Sequence, residues 1–370
     1  MPLWLDMSPT VVNRTAIYHI ARDTAGHLAP MVAGYRFGTD VRAHFDLTRP
    51  EEQTIRQDVL GKIEALGAPR STKERARRLM GVPARPQRRP RPRMLLFDPL
   101  YVLFEPIDNR DIVFVLDLTT LSHPEWHAPH IAALYARAFD RLLDSGAHIV
   151  SISTHTTASL RANFGLCSQN IVTVPLYARE TLLASAPVKP QAVLDEPFVL
   201  FVGSLELRKN VVGLIQAFDI SGVADQGLHL VIAGGEANDG PRVREAARAA
   251  RNVHVLGFVS DGELRWLYEN ALAFAYPSYL EGFGVPIIEA LKFGLPTLGA
   301  ITGAVPEVAG PLAILVDPYD LQSIADGLTT LVENATQDTE KQRAARRSRA
   351  REYSLPNYLR VLSSTLEGSE

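Results

Sequence analysis

Apolar runs and amphipathic runs alternate along the chain in the rhythm of strand, helix, strand. In the first half, short β-branched or apolar stretches predict strands near residues 2–6, 94–97, 112–117, 148–152 and 171–174. Apolar positions at helical spacing predict helices near 15–25, 51–66, 128–144 and 155–163. The rhythm lapses over "PLYARETLLASAPVKPQAVLDEP", where Pro190 and Pro197 suit a connector, and then resumes. "FVLFVGS" (198–204) and "LHLVIAGG" (228–235) read as buried strands around a helix at 210–220. Strand-like "NVHVLGF", "LAFAYPS" and "PTLGA" follow, separated by helical "DGELRWLYENA" and "PIIEALKFG". After residue 320 the pattern is helical to the final "LPNYLRVLSSTL". Parallel strands need crossover helices, so this alternation predicts an α/β protein with two doubly wound sheets.

Length agrees, since 370 residues exceed one ordinary core and favour two domains sharing a cleft. Hydrophobic residues at 46% and charged residues at 21% fit a globular chain rather than a disordered or membrane-embedded one. A single cysteine, Cys167, excludes an internal disulfide framework and suits a reducing compartment. "MPLWLDMSPT" lacks a basic start and long apolar stretch, so a cytoplasmic protein is expected, peripheral at most to a membrane's inner face.

Net charge is only −3, but it is unevenly spread: residues 69–93 hold ten Lys or Arg against one acid. Prolines bar a continuous helix there, which leaves two readings: a solvated linker, or a mobile arm drawn to an anionic surface. That surface would be acidic lipid headgroups or a pyrophosphate-bearing acceptor. Nucleic acid is not expected, because no stacking aromatics interleave with the arginines.

In open α/β sheets ligands sit beyond the carboxyl ends of the strands, and two such loops stand out. In "GSLELRKN" (203–210), Gly203 lets a ligand approach the backbone, while Arg208 and Lys209 stand at a helix start, where the dipole disfavours cations. Together with free N–H groups of the first turn they would hold a diphosphate. In "YLEGFGVPIIEALKFG" (279–294), Pro286 and Gly294 bound a helix of about 286–293, fed by the turn Gly282, Phe283, Gly284, Val285. Glu289 is expected in its first turn, able to accept from a vicinal diol, and Glu281 outside it, free to face the cleft.

These stretches carry a resemblance. "FVGSLELRKNVVGLIQAF", "YPSYLEGFGVPIIEALKFGLPTLGA" and "GAVPEVAGPLAILVDPYD" are similar to the donor-binding half of the large retaining glycosyltransferase family with the GT-B fold, glycosyl transferases group 1. Its bacterial members include mannosyl- and glucosyltransferases of surface polysaccharide assembly. "FVLDLTTLSHPEWH" and "VSISTHTTASL" carry a weaker match in the first half. The resemblance implies two Rossmann-like domains facing a cleft, at 1–185 and 186–354, and a closing helix from 355 to 370 that crosses back to the first. Arg208 and Lys209 would neutralise the donor diphosphate. Glu281 would face the sugar, the backbone of Phe283, Gly284 and Val285 would hold hydroxyls and phosphate, and Glu289 would hold the ribose. The family's frequencies favour GDP-mannose as donor, with a glycan or polyprenyl-pyrophosphate-linked glycan as acceptor.

On the acceptor side the chain departs from the family. A glycine-rich loop is replaced by "SPTVVNRTA", with Asn13 and Arg14 as substitutes, and Leu116 rather than histidine precedes Asp117. His123 and His127 lie nearby. No Asp-x-Asp pair occurs, so no metal is expected, and no other cofactor. A nucleotide-sugar epimerase, a phosphorylase with a pyridoxal cofactor, and a non-catalytic sugar-nucleotide or membrane-binding module are the rival readings.

Overall fold

Runs that are apolar on both faces, such as Ile112–Val115 and Phe198–Val202, suit strands covered above and below by helices. In the computed structural model they pair into two sheets. The structure describes residues 2–12, 16–38, 40–44, 52–67, 91–166, 171–191 and 195–368. Asn13, Arg14, Cys167 and residues 69–90 of the basic segment lie outside them.

The first sheet comprises β1 (Leu3–Asp6), β2 (Val32–Phe37), β3 (Asp40–Arg42), β4 (Arg93–Leu96), β5 (Ile112–Val115), β6 (His148–Ser151) and β7 (Ile171–Thr173). Its order is β3-β2-β1-β4-β5-β6-β7, parallel except for β3 against β2. The second comprises β8 (Phe198–Val202), β9 (His229–Ala233), β10 (Val253–Gly257), β11 (Ala273–Tyr276), β12 (Thr297–Ala300) and β13 (Ala313–Val316), in the order β10-β9-β8-β11-β12-β13, all parallel. In each sheet the order reverses beside the first strand, at β1 and at β8, and a crevice opens there beyond the strand ends.

Each predicted helix of the first half appears within about three residues of its expected bounds: Ala16–Leu28, Glu52–Gly67, Pro129–Ser145 and Thr154–Phe164. Three strands were not legible. In β2, Gly34 and Arg36 interrupt the apolar run. Arg36 is nevertheless 2% exposed because it pairs with the buried Asp6 of β1. Short β3 offers a single apolar position, and β13 at the sheet edge, although apolar throughout as Ala-Ile-Leu-Val, is only four residues long.

The basic segment needs a correction at its end. Arg91 and Arg93 belong to no solvated arm. Arg91 Nη1 donates to Asp111 Oδ1 at 3.0 Å, and Arg93, the first residue of β4, donates to the carbonyls of Arg110 (2.8 Å) and Leu366 (3.1 Å). The latter bond anchors the last helix, Leu355–Gly368, on the first sheet's side. Tyr358 Oη lies 2.7 Å from Thr24 Oγ1, and its ring lies 4.9 Å from that of Tyr177. Among the described residues, no helix is long and apolar enough to cross a membrane.

The two crests meet. A Cβ on Gly282 would stand 2.0 Å from the Leu116 carbonyl oxygen and 2.9 Å from Asp117 Cβ, so this glycine sets how closely the halves approach. Glu307 of the second half caps the helix Thr154–Phe164 of the first, its Oε1 accepting from Thr154 N at 3.0 Å and its Oε2 from His155 N at 3.2 Å. A carboxylate at a helix N-terminus satisfies orphan donors and complements the dipole. Glu307→Ala is therefore expected to leave both halves folded while widening the cleft. Small-angle scattering should show a larger radius of gyration, and amide exchange at Thr154 and His155 should accelerate. An unchanged profile in both would deny the carboxylate any part in closure.

Candidate functional site

The loop after β8 forms a short 3-10 turn, Leu207–Lys209, followed by Asn210 and the helix Val211–Ile220. Asn210 takes a left-handed backbone (φ 54°), tolerable for asparagine, and its Nδ2 donates to the carbonyls of Pro277 (3.2 Å) and Pro318 (2.8 Å). This buried amide thereby ties together the loops after β8, β11 and β13. Sequence reasoning missed it, although an asparagine between a turn and a helix is itself a left-handed signal.

Because β8 and β11 are neighbours, the two expected loops converge. Glu281 Oε1 accepts from Lys209 Nζ at 2.6 Å and Oε2 from Arg208 Nη1 at 3.0 Å. Arg208 Nε also donates to Glu206 Oε2 at 2.7 Å. Lys209 is 7% and Glu281 6% exposed. The expectation of a free Glu281 thus needs correction: both its oxygens are engaged. Burial raises the Glu281 carboxyl, but the Lys209 and Arg208 charges outweigh it and hold the group at about 2. Burial and the neighbouring Arg208 pull the Lys209 ammonium below its usual value. Among the described residues Arg208 Nη2 makes no hydrogen bond, so one arm of the fork can meet a ligand.

Gly284 opens the helix Val285–Phe293 at φ 93°, a conformation that favours glycine. Phe283 is buried edge-on to Tyr353, which leaves only its backbone toward the crevice. Gly203 follows β8 directly, and its carbonyl lies where a Cβ on Gly234 would fall, at 1.8 Å. Glu289 departs from expectation. It lies in the second turn, 1% exposed, and accepts from Arg179 Nε (2.6 Å), Arg179 Nη2 (3.3 Å) and Tyr268 Oη (3.1 Å). Arg179, which also reaches Asp261 Oδ1 at 3.2 Å, comes from the connector and had no sequence signal. Beside it His19 is lowered to about 4, by burial and then by the Arg179 charge.

Across the cleft Asp117 accepts from Thr119 N at 2.9 Å and from Thr119 Oγ1 at 2.7 Å, starting the short helix Thr119–Ser122. His123 does not reach the charged cluster; it stacks on Trp126, ring centroids 3.9 Å apart. His127 is the histidine that faces the centre. Its Nε2 lies 3.2 Å from Thr119 Oγ1, and burial lowers its pKa while the charges of Asp117, Arg208 and Glu206 act on it. No cluster of three or more potential metal ligands occurs among the described residues.

Chemically, the arrangement joins two cations, two carboxylates, helix N-termini and glycine backbone at a topological switch point, a constellation suited to a pyrophosphate-linked ligand. Sucrose-phosphate synthase from Thermosynechococcus elongatus superposes with a TM-score of 0.68 at 16% identity, covering 100% of this chain and 98% of that one. HepE from Anabaena, solved in complex with UDP and glucose, gives 0.68 at 16% identity over 99% of both chains. These likenesses establish the fold, GT-B, with two Rossmann-like domains. Residues 185–353 match the family described as Glycosyl transferases group 1. O-antigen chain mannosyltransferase B of Escherichia coli is 28% identical over 227 residues, 59% of this chain and 60% of that protein. Serotype-specific mannosyltransferase WbdA, also of Escherichia coli, is 30% identical over 143 residues, 37% of this chain and 18% of that protein. The chain thus spans less than two thirds of either relative.

Because the folded Glu281 value lies below the unfolded one, about 2 against 4.5, its ionised form stabilises the fold above pH 4.5, and that contribution is lost as pH falls through about 2. Glu281→Gln should therefore flatten the dependence of unfolding free energy on pH across this window, as read from denaturant melts. A slope equal to the parent's would show that the pairing does not persist in solution.

Proposed function

We propose that the protein is a retaining hexosyltransferase that moves mannose from GDP-mannose to a glycan or polyprenyl-pyrophosphate-linked glycan during bacterial surface polysaccharide assembly. The observation that carries this reading is the buried Arg208–Lys209–Glu281 cluster at the β8/β11 crevice, with Asp117 and His127 facing it. The match of residues 185–353 to the group 1 glycosyl transferases and the mannosyltransferase activity of the two Escherichia coli relatives support the class and the sugar.

In transfer, the bond from the anomeric carbon to the diphosphate breaks and its electron pair leaves with the nucleoside diphosphate. The acceptor oxygen bonds to that carbon, and its proton passes to the departing phosphate on the same face. Arg208 and Lys209 neutralise the charge gained by the leaving group, a contribution of about 3–4 kcal/mol per preorganised donor. Freed from one cation as the diphosphate binds, Glu281 offsets positive charge on the sugar. The backbone of Phe283, Gly284 and Val285 meets hydroxyls and phosphate, and Gly203 admits the ligand beside it. Glu289 takes the ribose diol by exchanging part of the Arg179 fork. Asp117 and His127 receive the acceptor, and Asn13 and Arg14, which lie outside the described residues, are proposed to assist. Residues 69–90 draw the enzyme to anionic lipid at the cytoplasmic face of the membrane.

Lys209→Ala and Glu281→Ala are each expected to lower transfer at least a hundredfold, about 2.7 kcal/mol, with thermal melts confirming a folded chain. GDP-mannose at a hundred times its dissociation constant should stabilise the parent by about 2.7 kcal/mol. Parent-level turnover in either variant removes that residue from the mechanism, and no thermal shift with any nucleotide sugar removes the reading.

A further inference from the structure

Four aromatic rings stand in a column across the mouth of the cleft. His123 lies on Trp126 (3.9 Å between centroids, 13° between planes), Trp126 on Tyr279 (6.0 Å, 28°), and Tyr279 on Tyr319 (4.8 Å, 25°). The first two rings come from the first half and the last two from the second, so the column exists only when the halves are together. It is also joined to the charged cluster. Asn238 donates to the Trp126 carbonyl at 2.7 Å and accepts from Leu207 N at 3.0 Å, while Tyr279 N donates to the Arg208 carbonyl at 2.8 Å.

Inner rings of such a column are covered by their neighbours, but Tyr319 ends it and is 63% exposed. Its backbone is fixed nonetheless: Tyr319 N donates to Asp317 Oδ1 at 2.9 Å, and the preceding Pro318 carbonyl accepts from Asn210. A large ring anchored through its backbone, stacked on Tyr279 on one side and open to water on the other, presents a flat apolar face with less freedom to lose on binding than an unstacked ring. The charges of Asp317 and Glu125 act on this ring. Carboxylates accept hydrogen bonds from hydroxyls and repel anions. A pyranose matches both features, its slightly positive C–H face against the negative ring face and its hydroxyls against the rim.

We propose that Tyr319, backed by Tyr279 and Trp126, is an acceptor subsite for a neutral glycan chain. Sugars behind the reacting residue stack on the Tyr319 face while the chain end reaches the Glu281 cluster. The inference rests on the transferase reading and adds that the enzyme extends chains in preference to single sugars.

The test uses α-linked manno-oligosaccharides from mono- to pentasaccharide with GDP-mannose. Tyr319→Ala should raise KM about tenfold for the longer acceptors and leave the monosaccharide KM and kcat unchanged, whereas Tyr319→Phe, which keeps the ring face, should behave as the parent. Equal KM values for Tyr319→Ala and the parent at every length overturn the subsite, as does an equal loss on the monosaccharide. If the parent transfers to no acceptor, the transferase reading has failed separately. Native-gel retardation by neutral mannan then decides the subsite: retardation lost in Tyr319→Ala sustains it, and no retardation of the parent overturns it.

Discussion

Placing an ammonium, a guanidinium and a carboxylate almost out of water is tolerable only if they meet one another, since each ion alone would be penalised by several kcal/mol. Lys209, Arg208 and Glu281 meet because β8 and β11 are neighbours at the switch point of the second sheet. The constraint reaches outward. It fixes the 3-10 turn before Asn210, it sets where the glycine turn begins, and it leaves the backbone of Phe283 and Gly284 at the crevice with the phenyl ring turned inward. The cluster is held by its own carboxylates, so an anionic ligand bound there would exchange one anion for another around cations already in position.

Closure of the halves depends on the same loops. Gly282 lies against the end of β5, Glu307 caps a helix of the first half, Asn238 bonds the Trp126 carbonyl, and Arg179 carries the connector onto Glu289. The charged cluster and the domain contacts are therefore interleaved within a few residues.

Much of the fold was readable because parallel strands buried on both faces leave unmistakable apolar runs, as in β5, β8 and β11. β2 was not, because Arg36 inside it is buried by an ion pair with Asp6, a partner thirty positions away. For the same reason Arg91 and Arg93 read as part of a solvated tract and turned out to anchor β4 and the last helix. Sequence shows a charge but not the group that neutralises it. The site residues Arg208, Lys209, Glu281 and the glycine turn were legible as loop chemistry. Asn210, Arg179 and Asn238 were not, since single polar residues acquire meaning only from the carbonyls and carboxylates they meet.

By itself, then, the sequence determined the kind of architecture and the two strand-end loops, and it carried the resemblance of residues 185–353 to the group 1 glycosyl transferases, because periodicity and turn chemistry are local properties of the chain. Tertiary structure alone decided that the two cations and Glu281 form one buried cluster, that Arg179 occupies Glu289, and that His127 rather than His123 faces the centre. Those are facts of strand order and domain contact, which bring together residues as distant as Arg179 and Glu289, 110 positions apart, and which no window along the chain contains.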